Sequence, residues 1–327
     1  MNNFGQHVRP GWRPEGEPAF PFSCNALGGY LSRSVSDMGC GYGWETMTIA
    51  PDDPLLDDRD RLAGLLGEAA RRSAAVLLAK RSARDVKLKP DGSPVCSADM
   101  AADEAAKAAL AQLLPDFPVI SEESVGESEV APVFILLDPL DGTREFLAGG
   151  DSYCVCIAII CAGRPIAGAI AAPGLGRLWY GGERAFAQPL GPDAAPAGAP
   201  VMIQVRAEPA AGPRMLVSRF HGDPVSAGIA AAIGDGEGAP VSSAVKFGLI
   251  AAGEADLHVR CGTTMEWDVA AGEAILDAAG GVVRTLTGAV TAYGCSERAF
   301  RNPPFVAAGS EDLAARAIAQ ALCSPSA

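Results

Sequence analysis

The sequence is poor in the residues that build several common kinds of site. Among 327 residues there are only three histidines, so a zinc centre built from histidines is not expected. Nine cysteines occur, but none of them forms a Cys-x-x-Cys pair. An odd number of cysteines without such a pair fits the reducing cytoplasm better than a secreted disulfide framework.

Basic residues are also few, with 26 Lys and Arg against 39 Asp and Glu and a formal net charge of -13. An acidic surface repels the nucleic-acid backbone and anionic lipid. We therefore expect no nucleic-acid polymer as a partner. A phosphorylated metabolite would be repelled as well, so such a substrate would need cations inside its site, and bound metal ions would supply them.

Long apolar runs are missing too. The longest covers residues 153–162, which is far short of the ~20 residues that a membrane-spanning helix needs. The first twenty residues carry arginines, glutamates and three prolines without an apolar centre, so they do not resemble a signal peptide. We expect a cytoplasmic protein without an integral membrane contact. Peripheral membrane association and a homodimer both stay open.

Composition divides the chain into unequal parts. Residues 1–50 are rich in Gly, Pro, Ser and Trp without periodicity, which predicts a poorly ordered tail, an incorrectly assigned start codon or a regulatory extension. We predict an N-terminal α+β sub-domain over 51–187, a Pro/Ala/Gly linker over 188–200, and a C-terminal α/β sub-domain over 201–327.

Apolar spacing predicts the individual helices and strands of an α/β protein. The predicted helices cover 58–80, the segment from Ser97 to Pro115, 144–147, a segment after Asp223, 244–252, 267–279 and a segment from Glu311 onward. The predicted strands cover 119–120, 133–137, 153–161, 165–172, 178–180, 184–187, 215–217, 255–259 and 305–308.

The segment from Asp138 to Thr143, with the sequence Asp-Pro-Leu-Asp-Gly-Thr, is the central chemical feature. It follows an apolar strand and precedes a short helix, so its carboxylates stand where ligands collect at strand ends. Glycine lets the backbone approach a ligand, and a helix N-terminus favours phosphate. In isolation the two aspartates are better explained as caps of a helix.

Two other carboxylates also stand at the end of a predicted strand or at the start of a predicted helix. Glu122 ends a short strand, and Asp268 opens an apolar helix. Each has an ordinary explanation, as part of a solvated surface pair or as a helix cap. Their combination with the central segment is what points to a metal-dependent site, because carboxylate oxygens are hard donors that suit magnesium.

Together these segments resemble the inositol-monophosphatase superfamily of magnesium-dependent, lithium-sensitive phosphatases. Asp99, Glu122-Glu123, the Asp138 to Thr143 segment and Trp267-Asp268-x-x-x-Gly272 occur in its order. The resemblance covers about residues 55–310. It implies a layered α-β-α-β-α sugar-phosphatase fold of the α/β (α+β) class, with a metal site between the two sub-domains.

The resemblance also implies roles for single residues. Glu122, Asp138, Asp141, Asp268 and the carbonyl of Leu140 would bind two or three Mg²⁺ ions, whereas Li⁺ and Ca²⁺ would inhibit. Asp99 and Thr143 would orient and deprotonate the attacking water. A threonine hydroxyl is too weak an acid to act alone, so a carboxylate partner is chemically reasonable.

Within the superfamily, the segments Lys89 to Asp99 and Asp138 to Phe146 look like those of the CysQ type of 3′(2′),5′-bisphosphate nucleotidase. This resemblance implies a small phosphorylated nucleotide as substrate. Cys96, Phe220 and Ala244 depart from the subgroup pattern. The predicted substrate-binding residues are Glu122, Leu140, Asp141, Gly142, Thr143, His221, Lys246 and Asp268.

The two residues predicted to hold a second phosphate or the ribose, His221 and Lys246, are equally explained as a loop histidine and a surface lysine. His258 lies in an apolar strand and is interpreted as structural. Inositol monophosphate and fructose 1,6-bisphosphate stay open as substrates. A non-catalytic regulator that binds metal or sugar phosphate on the same fold is the alternative from another functional class.

Overall fold

The computed structural model describes residues 53–82, 85–88, 94–126, 130–220, 222–233 and 238–323. The predicted tail over residues 1–50 and the predicted substrate-binding residue His221 lie outside the described residues. No helix within the described ranges is long and apolar enough to cross a bilayer.

The described chain begins with helices that cover one face of a large sheet. A short helix α1 (Pro54–Asp57) leads into α2 (Arg59–Ala79), whose first turn is capped by the Asp58 side chain, which accepts from the Arg61 N–H at 3.1 Å. A two-stranded hairpin, β1 (Lys87–Leu88) and β2 (Pro94–Val95), precedes α3 (Ser97–Leu113). Leucines and alanines on one side of α2 and α3 are buried, as the helical periodicity predicts.

A seven-stranded sheet follows in chain order. Its first two strands are parallel, and every later neighbouring pair is antiparallel. The strands are β3 (Val119–Ser121), β4 (Val133–Asp141), β5 (Cys154–Cys161), β6 (Arg164–Ala172), β7 (Arg177–Gly181), β8 (Ala185–Pro189) and β9 (Val201–Ile203), and the helix α4 (Thr143–Leu147) lies between β4 and β5.

A mixed five-stranded sheet makes up the second half, in the order β11-β10-β12-β14-β13. Its strands are β10 (Met215–Ser218), β11 (Ala239–Val241), β12 (Leu257–Arg260), β13 (Val282–Thr285) and β14 (Phe305–Ala308). Its helices are α5 (Pro224–Ile233), α6 (Val245–Ala251), α7 (Glu266–Ala278) and α8 (Glu311–Cys323).

Strand β5 shows how the layers are built. Val155, Ile157 and Ile159 face the α2–α3 layer, whereas Cys154 and Cys156 face a second core that contains α6 and α7. This alternation follows from the two-residue period of a strand. A third core joins the far face of the small sheet to α5 and α8. The order of layers is therefore α-β-α-β-α, which confirms the predicted fold class.

Most predicted elements are present within a few residues of their predicted ends, including the two long amino-terminal helices and the hairpin of β5 and β6. The short strands β9, β11 and β13 escaped prediction. The predicted division into two sub-domains with a linker over 188–200 stays a prediction. The strand that follows this segment, β9, pairs with β8 in the large sheet, and the small sheet begins at β10.

Candidate active site

A cleft of about 290 Å³ lies where the two sheets meet. The carboxylates Glu122, Asp138, Asp141 and Asp268 line it, together with Gly142, Thr143 and Lys246. The ends of β3 and β4 approach the start of α7 and the loop before α6 at this point. The cleft is large enough for a small phosphorylated metabolite.

The end of β4 is an irregular strand that presents its carboxylates to the cleft. Pairing with β5 is regular up to Asp138, breaks there, and resumes at Asp141. The Asp138 carboxylate accepts from the Leu140 N–H at 3.0 Å, which fixes the turn. Gly142 has a φ of 94°, and a Cβ at this position would lie 3.3 Å from the Ser243 Cβ. Glycine is thus required both by the backbone conformation and by the close approach of the α6 loop.

Asp99 and Thr143, which are 44 residues apart, form a pair beside this turn. The Thr143 Oγ1 lies 3.1 Å from an Asp99 carboxylate oxygen and 3.2 Å from the Leu140 carbonyl oxygen. The other Asp99 oxygen accepts from the Cys96 N–H at 2.9 Å. Asp99 is buried and reaches the cleft only through Thr143, which is the arrangement of a group that orients a neighbouring hydroxyl.

Asp99 and Asp268 owe their positions to the same device. Each is the third residue of its helix and accepts a backbone N–H from the residue before the helix begins, for Asp268 that of Met265 at 2.8 Å. This is one half of a capping box. The bond orients each carboxylate at a helix N-terminus, where the helix dipole also favours negative charge.

The carboxylates are too close together and too buried to be stable as free anions. Burial, followed by repulsion from Glu122, Asp141 and Asp268, raises the pKa of Asp138 well above its usual value. Burial and the neighbouring carboxylates likewise raise the pKa of Asp268. Burial raises the pKa of Asp141 to about 6, although the charges of Lys246 and Arg260 oppose the shift.

These properties fit a magnesium centre. All side-chain donors in the group are carboxylate oxygens, and the Leu140 carbonyl adjoins them. Magnesium prefers such hard oxygen ligands. Clustered buried carboxylates with raised pKa values need added positive charge to ionise at neutral pH, and divalent cations would provide it.

The side of the cleft that the carboxyl-terminal half forms also carries cations. Lys246 is 5% exposed, and its Nζ donates to the Ser243 carbonyl at 2.6 Å and the Val241 carbonyl at 3.3 Å. Burial lowers the pKa of Lys246 to about 8 despite the neighbouring charge of Asp141. Arg260, at the end of β12, lines the same wall and donates to the Thr263 carbonyl at 3.1 Å. An arginine that closes a buried apolar strand was a signal that the sequence interpretation passed over.

A second ionic group at the cleft, also absent from the predicted site, links the amino-terminal half of the chain to the carboxyl-terminal half. Glu145, from α4, is buried and accepts from Arg219 at 3.1 Å and from the Ser242 hydroxyl at 2.8 Å. Arg219 and Ser242 belong to the carboxyl-terminal half and line the cleft. Only the three-dimensional fold brings Glu145 to them, since they lie 74 and 97 positions further along the chain.

The structure also shows where the other predicted residues lie. His258 is buried, and its Nδ1 lies 3.0 Å from the Leu216 carbonyl, which agrees with a structural interpretation, although its ring also borders the cleft. The structure brings Glu122, Asp138, Leu140, Asp141, Gly142, Thr143, Lys246 and Asp268 to one cleft, with Asp99 behind Thr143. Their roles as ligands and catalysts stay predictions.

Two thiols complete the surroundings of Asp141. Cys154 and Cys156 are free, buried and 3.7 Å apart between their Sγ atoms. The Cys154 Sγ lies 4.0 Å from an Asp141 carboxylate oxygen. The hydrogen bond with Cys154, together with burial, raises the pKa of Cys156 well above its usual value.

Comparison with known proteins agrees with the fold. The 3′(2′),5′-bisphosphate nucleotidase CysQ of Salmonella typhimurium is 37% identical over 221 residues, which cover 66% of this chain and 86% of the relative. The protein of the same name from Escherichia coli is 36% identical over 225 residues, covering 68% and 87%.

A solved structure is also similar. The crystal structure of CysQ from Bacteroides thetaiotaomicron, a bacterial member of the inositol monophosphatase family, aligns with a TM-score of 0.65 at 27% identity. The alignment covers 77% of this chain and 98% of that structure. The profile of the Inositol monophosphatase family matches residues 58–326. By sequence and by fold, this chain belongs to the inositol monophosphatase family, and it is a phosphatase.

Proposed function

We propose that this phosphatase is a magnesium-dependent 3′(2′),5′-bisphosphate nucleotidase. It removes the 3′-phosphate from 3′-phosphoadenosine 5′-phosphate and leaves AMP and inorganic phosphate, and it accepts the 5′-phosphosulfate analogue as a second substrate. Such a reaction recycles the nucleotide product of sulfur assimilation. The names and coverage of the relatives support this substrate class.

The observation that carries the proposal is the division of one cleft into an acidic and a cationic wall. Four carboxylates line it together with Lys246, Arg219 and Arg260. A monoester that carries a single phosphate needs only the metal side. A nucleotide bisphosphate brings a second phosphate, for which arginine and lysine are the natural partners.

Glu122, Asp138, Asp141, Asp268 and the Leu140 carbonyl would hold the magnesium ions. When bound, magnesium neutralises charge on the transferring phosphate and its leaving oxygen and lowers the pKa of a coordinated water. We propose that two ions bind, with room for a third, that Ca²⁺ inhibits because it tolerates looser coordination, and that Li⁺ inhibits as well.

Thr143 and Asp99 handle the proton in this proposal. The Thr143 hydroxyl lies between the cleft and the buried Asp99 carboxylate at 3.1 Å. It accepts the proton of the attacking water as it passes its own proton to Asp99. Burial raises the pKa of Asp99, which makes this carboxylate a better base than an exposed aspartate.

The direct test is hydrolysis by the purified full-length chain. The substrates are 3′-phosphoadenosine 5′-phosphate, inositol 1-phosphate and fructose 1,6-bisphosphate, each assayed with magnesium, with a chelator, and with added Li⁺ or Ca²⁺. We expect the highest kcat/KM for the nucleotide, release of the 3′-phosphate, no turnover in chelator, and inhibition by both cations.

Other results of this assay would contradict specific parts of the proposal. A comparable or higher kcat/KM for inositol 1-phosphate or fructose 1,6-bisphosphate refutes the nucleotidase proposal. Full activity in chelator refutes the metal requirement. Binding of the substrates without turnover favours a metal- or sugar-phosphate-binding regulator over an enzyme.

A further inference from the structure

The dithiol of Cys154 and Cys156 lies directly behind the Asp141 carboxylate. One ligand atom from each of Asp141, Cys154 and Cys156 can be chosen so that all three atoms lie within 4.8 Å of one another. The two cysteines are 0% and 1% exposed, so no water shell surrounds the sulfurs. None of the steps proposed for phosphate hydrolysis uses either thiol.

The backbone holds this arrangement in place. Cys154 and Cys156 are two residues apart on β5, so their side chains point to the same face of the sheet. That face is the one toward α6 and α7, and the register pairs Asp141 with Cys154 and Asp138 with Cys156. Both thiols therefore stand in the row of side chains next to the carboxylates.

The separation of the sulfurs matches a metal site. With metal–sulfur bonds of about 2.3 Å, two thiolates in a tetrahedral zinc site lie about 3.8 Å apart. The observed separation is 3.7 Å, and Asp141 supplies a third donor 4.0 Å from the Cys154 sulfur. Sulfur ligands select soft and borderline cations over magnesium.

The dithiol lies directly behind residues that line the cleft. The Cys154 sulfur lies 3.4 Å from the Ser243 hydroxyl, and both Ser243 and Asp141 line the cleft. An ion that enters beside the magnesium ligands therefore meets the first sulfur after passing a single layer of side chains.

We propose that Cys154, Cys156 and Asp141 form a binding site for a thiophilic divalent cation, such as Cd²⁺ or Zn²⁺, and that occupation of this site inhibits the phosphatase. Two metal–sulfur bonds form as each thiol releases its proton to solvent. Asp141 is shared, so the incoming ion draws this carboxylate away from the magnesium group. The Asp141 carboxylate also accepts from the Ala244 N–H, and its displacement loosens the loop before α6.

The test uses the full-length chain, stripped of metal and free of thiol reductants, titrated with Cd²⁺. The first readout is the ultraviolet sulfur-to-cadmium charge-transfer band, and the second is magnesium-dependent hydrolysis. The variants are Cys154→Ala and Cys156→Ala. The matched control is Cys161→Ala, because Cys161 is buried on the same strand but packs against the opposite layer.

We expect wild type and Cys161→Ala to gain one dithiolate-bound Cd²⁺ per chain and to lose activity together. Cys154→Ala and Cys156→Ala should lose that band and need at least roughly tenfold more Cd²⁺ for half-inhibition, as the loss of a ligand implies. Equal band intensity and equal inhibition in wild type and both variants would overturn the proposal, because cadmium would then act at the oxygen ligands alone.

If the alanine variants fold poorly, cadmium NMR of the wild-type chain tests the proposal without them. A resonance in the range of two-sulfur coordination supports the site, and resonances only in the range of oxygen or single-sulfur coordination overturn it. The binding readouts do not depend on the substrate. Failure of the nucleotidase proposal is therefore distinguishable from failure of this one.

Discussion

The two walls of the cleft come from different halves of the chain and hold opposite charge. On the amino-terminal wall, Asp138 and Asp141 lie at the end of a strand of the large sheet. On the carboxyl-terminal wall, Lys246 and Arg260 come from α6 and β12 of the small-sheet half. On each wall, burial disfavours the charged form of the side chains. Burial and like charge raise the carboxylate pKa values, and burial lowers the pKa of Lys246.

The opposite charges of the two walls indicate different functions for them. The acidic wall needs metal ions before its groups can ionise together, and it then becomes a cationic surface for phosphate. The other wall is cationic already, and its lysine is fixed by two backbone carbonyls rather than by a carboxylate. Asp268 is the exception, since α7 brings this carboxylate to the acidic group from the second half of the chain.

The largest expected effect comes from neutralising the acidic wall. Asp138→Asn should lower kcat/KM at saturating magnesium by at least ~100-fold, because one charge of a preorganised electrostatic group is removed. The matched control is Asp116→Asn, at an exposed position outside the cleft, which should retain full activity. Steady-state kinetics over a magnesium series measures both, and near-normal turnover in Asp138→Asn would remove the basis for the ligand assignment.

A loss of comparable size is expected at the proton pair on the same wall. Thr143→Val keeps the shape of the side chain but removes the hydroxyl that bonds Asp99, so kcat should fall by ~10²–10⁴-fold. Magnesium affinity should change little, because the Thr143 side chain is not among the proposed ligands. Thr143→Ser restores a hydroxyl and should recover most of the activity. Similar kcat values for the valine and serine variants would argue against a role in proton transfer.

The cationic wall should control specificity rather than catalysis. In Lys246→Met the buried stem is retained and the charge is lost, so kcat/KM for the nucleotide bisphosphate should fall roughly tenfold to hundredfold, the cost of one charge-assisted contact of about 1.5–3 kcal/mol. Inositol 1-phosphate should be affected little. Parallel kinetics on the two substrates measures the ratio, and an equal fall for both would mean that Lys246 serves the structure of the loop.

The smallest effect concerns the stability of the metal-free protein. Since the pKa of Asp138 is raised in the folded state, its protonated form stabilises the fold at low pH, and this contribution is lost as pH rises through the raised pKa. Asn cannot ionise, so the stability of Asp138→Asn relative to wild type should increase as pH rises above about 4, the ordinary pKa of an aspartate. The gain should appear as a melting-temperature difference of about 2–4 °C per kcal/mol.

Calorimetry in chelator, with the two proteins compared at each pH, provides this measurement. His258 is present in both proteins, so its own lowered pKa cancels in the difference. Magnesium should reverse the order at the upper end of the range, because it stabilises only the chain that retains the carboxylate. A difference that does not change with pH would show that Asp138 is not held under electrostatic strain.

Much of the fold could be predicted from the sequence. The periodicity of α2, α3 and α7 and the apolar runs of β4 and β5 indicate helices and buried strands without any tertiary information. Strands β9, β11 and β13 could not be found in this way. They have only three or four residues, and pairing with neighbours rather than local preference decides their conformation.

The carboxylates of the site were visible in the sequence because each stands at a boundary between elements. Asp138 and Asp141 end an apolar strand, and Asp99 and Asp268 lie in the first turn of helices, but only the order of these segments and their resemblance to a family marked them as one site. Positions at strand ends and helix N-termini are the ones that a fold brings together, which is why a motif interpretation could assemble them.

What only the tertiary structure decided are the contacts between distant segments. Local sequence shows Glu145 as one more surface helix residue, but its partners Arg219 and Ser242 come from the second half of the chain. Local pattern places Cys154 and Cys156 only in an apolar strand, whereas the register of β5 on β4 sets them next to Asp141. The physical reason is that local pattern determines which face a side chain takes, whereas strand register and the packing of the two sheets determine what that side chain meets.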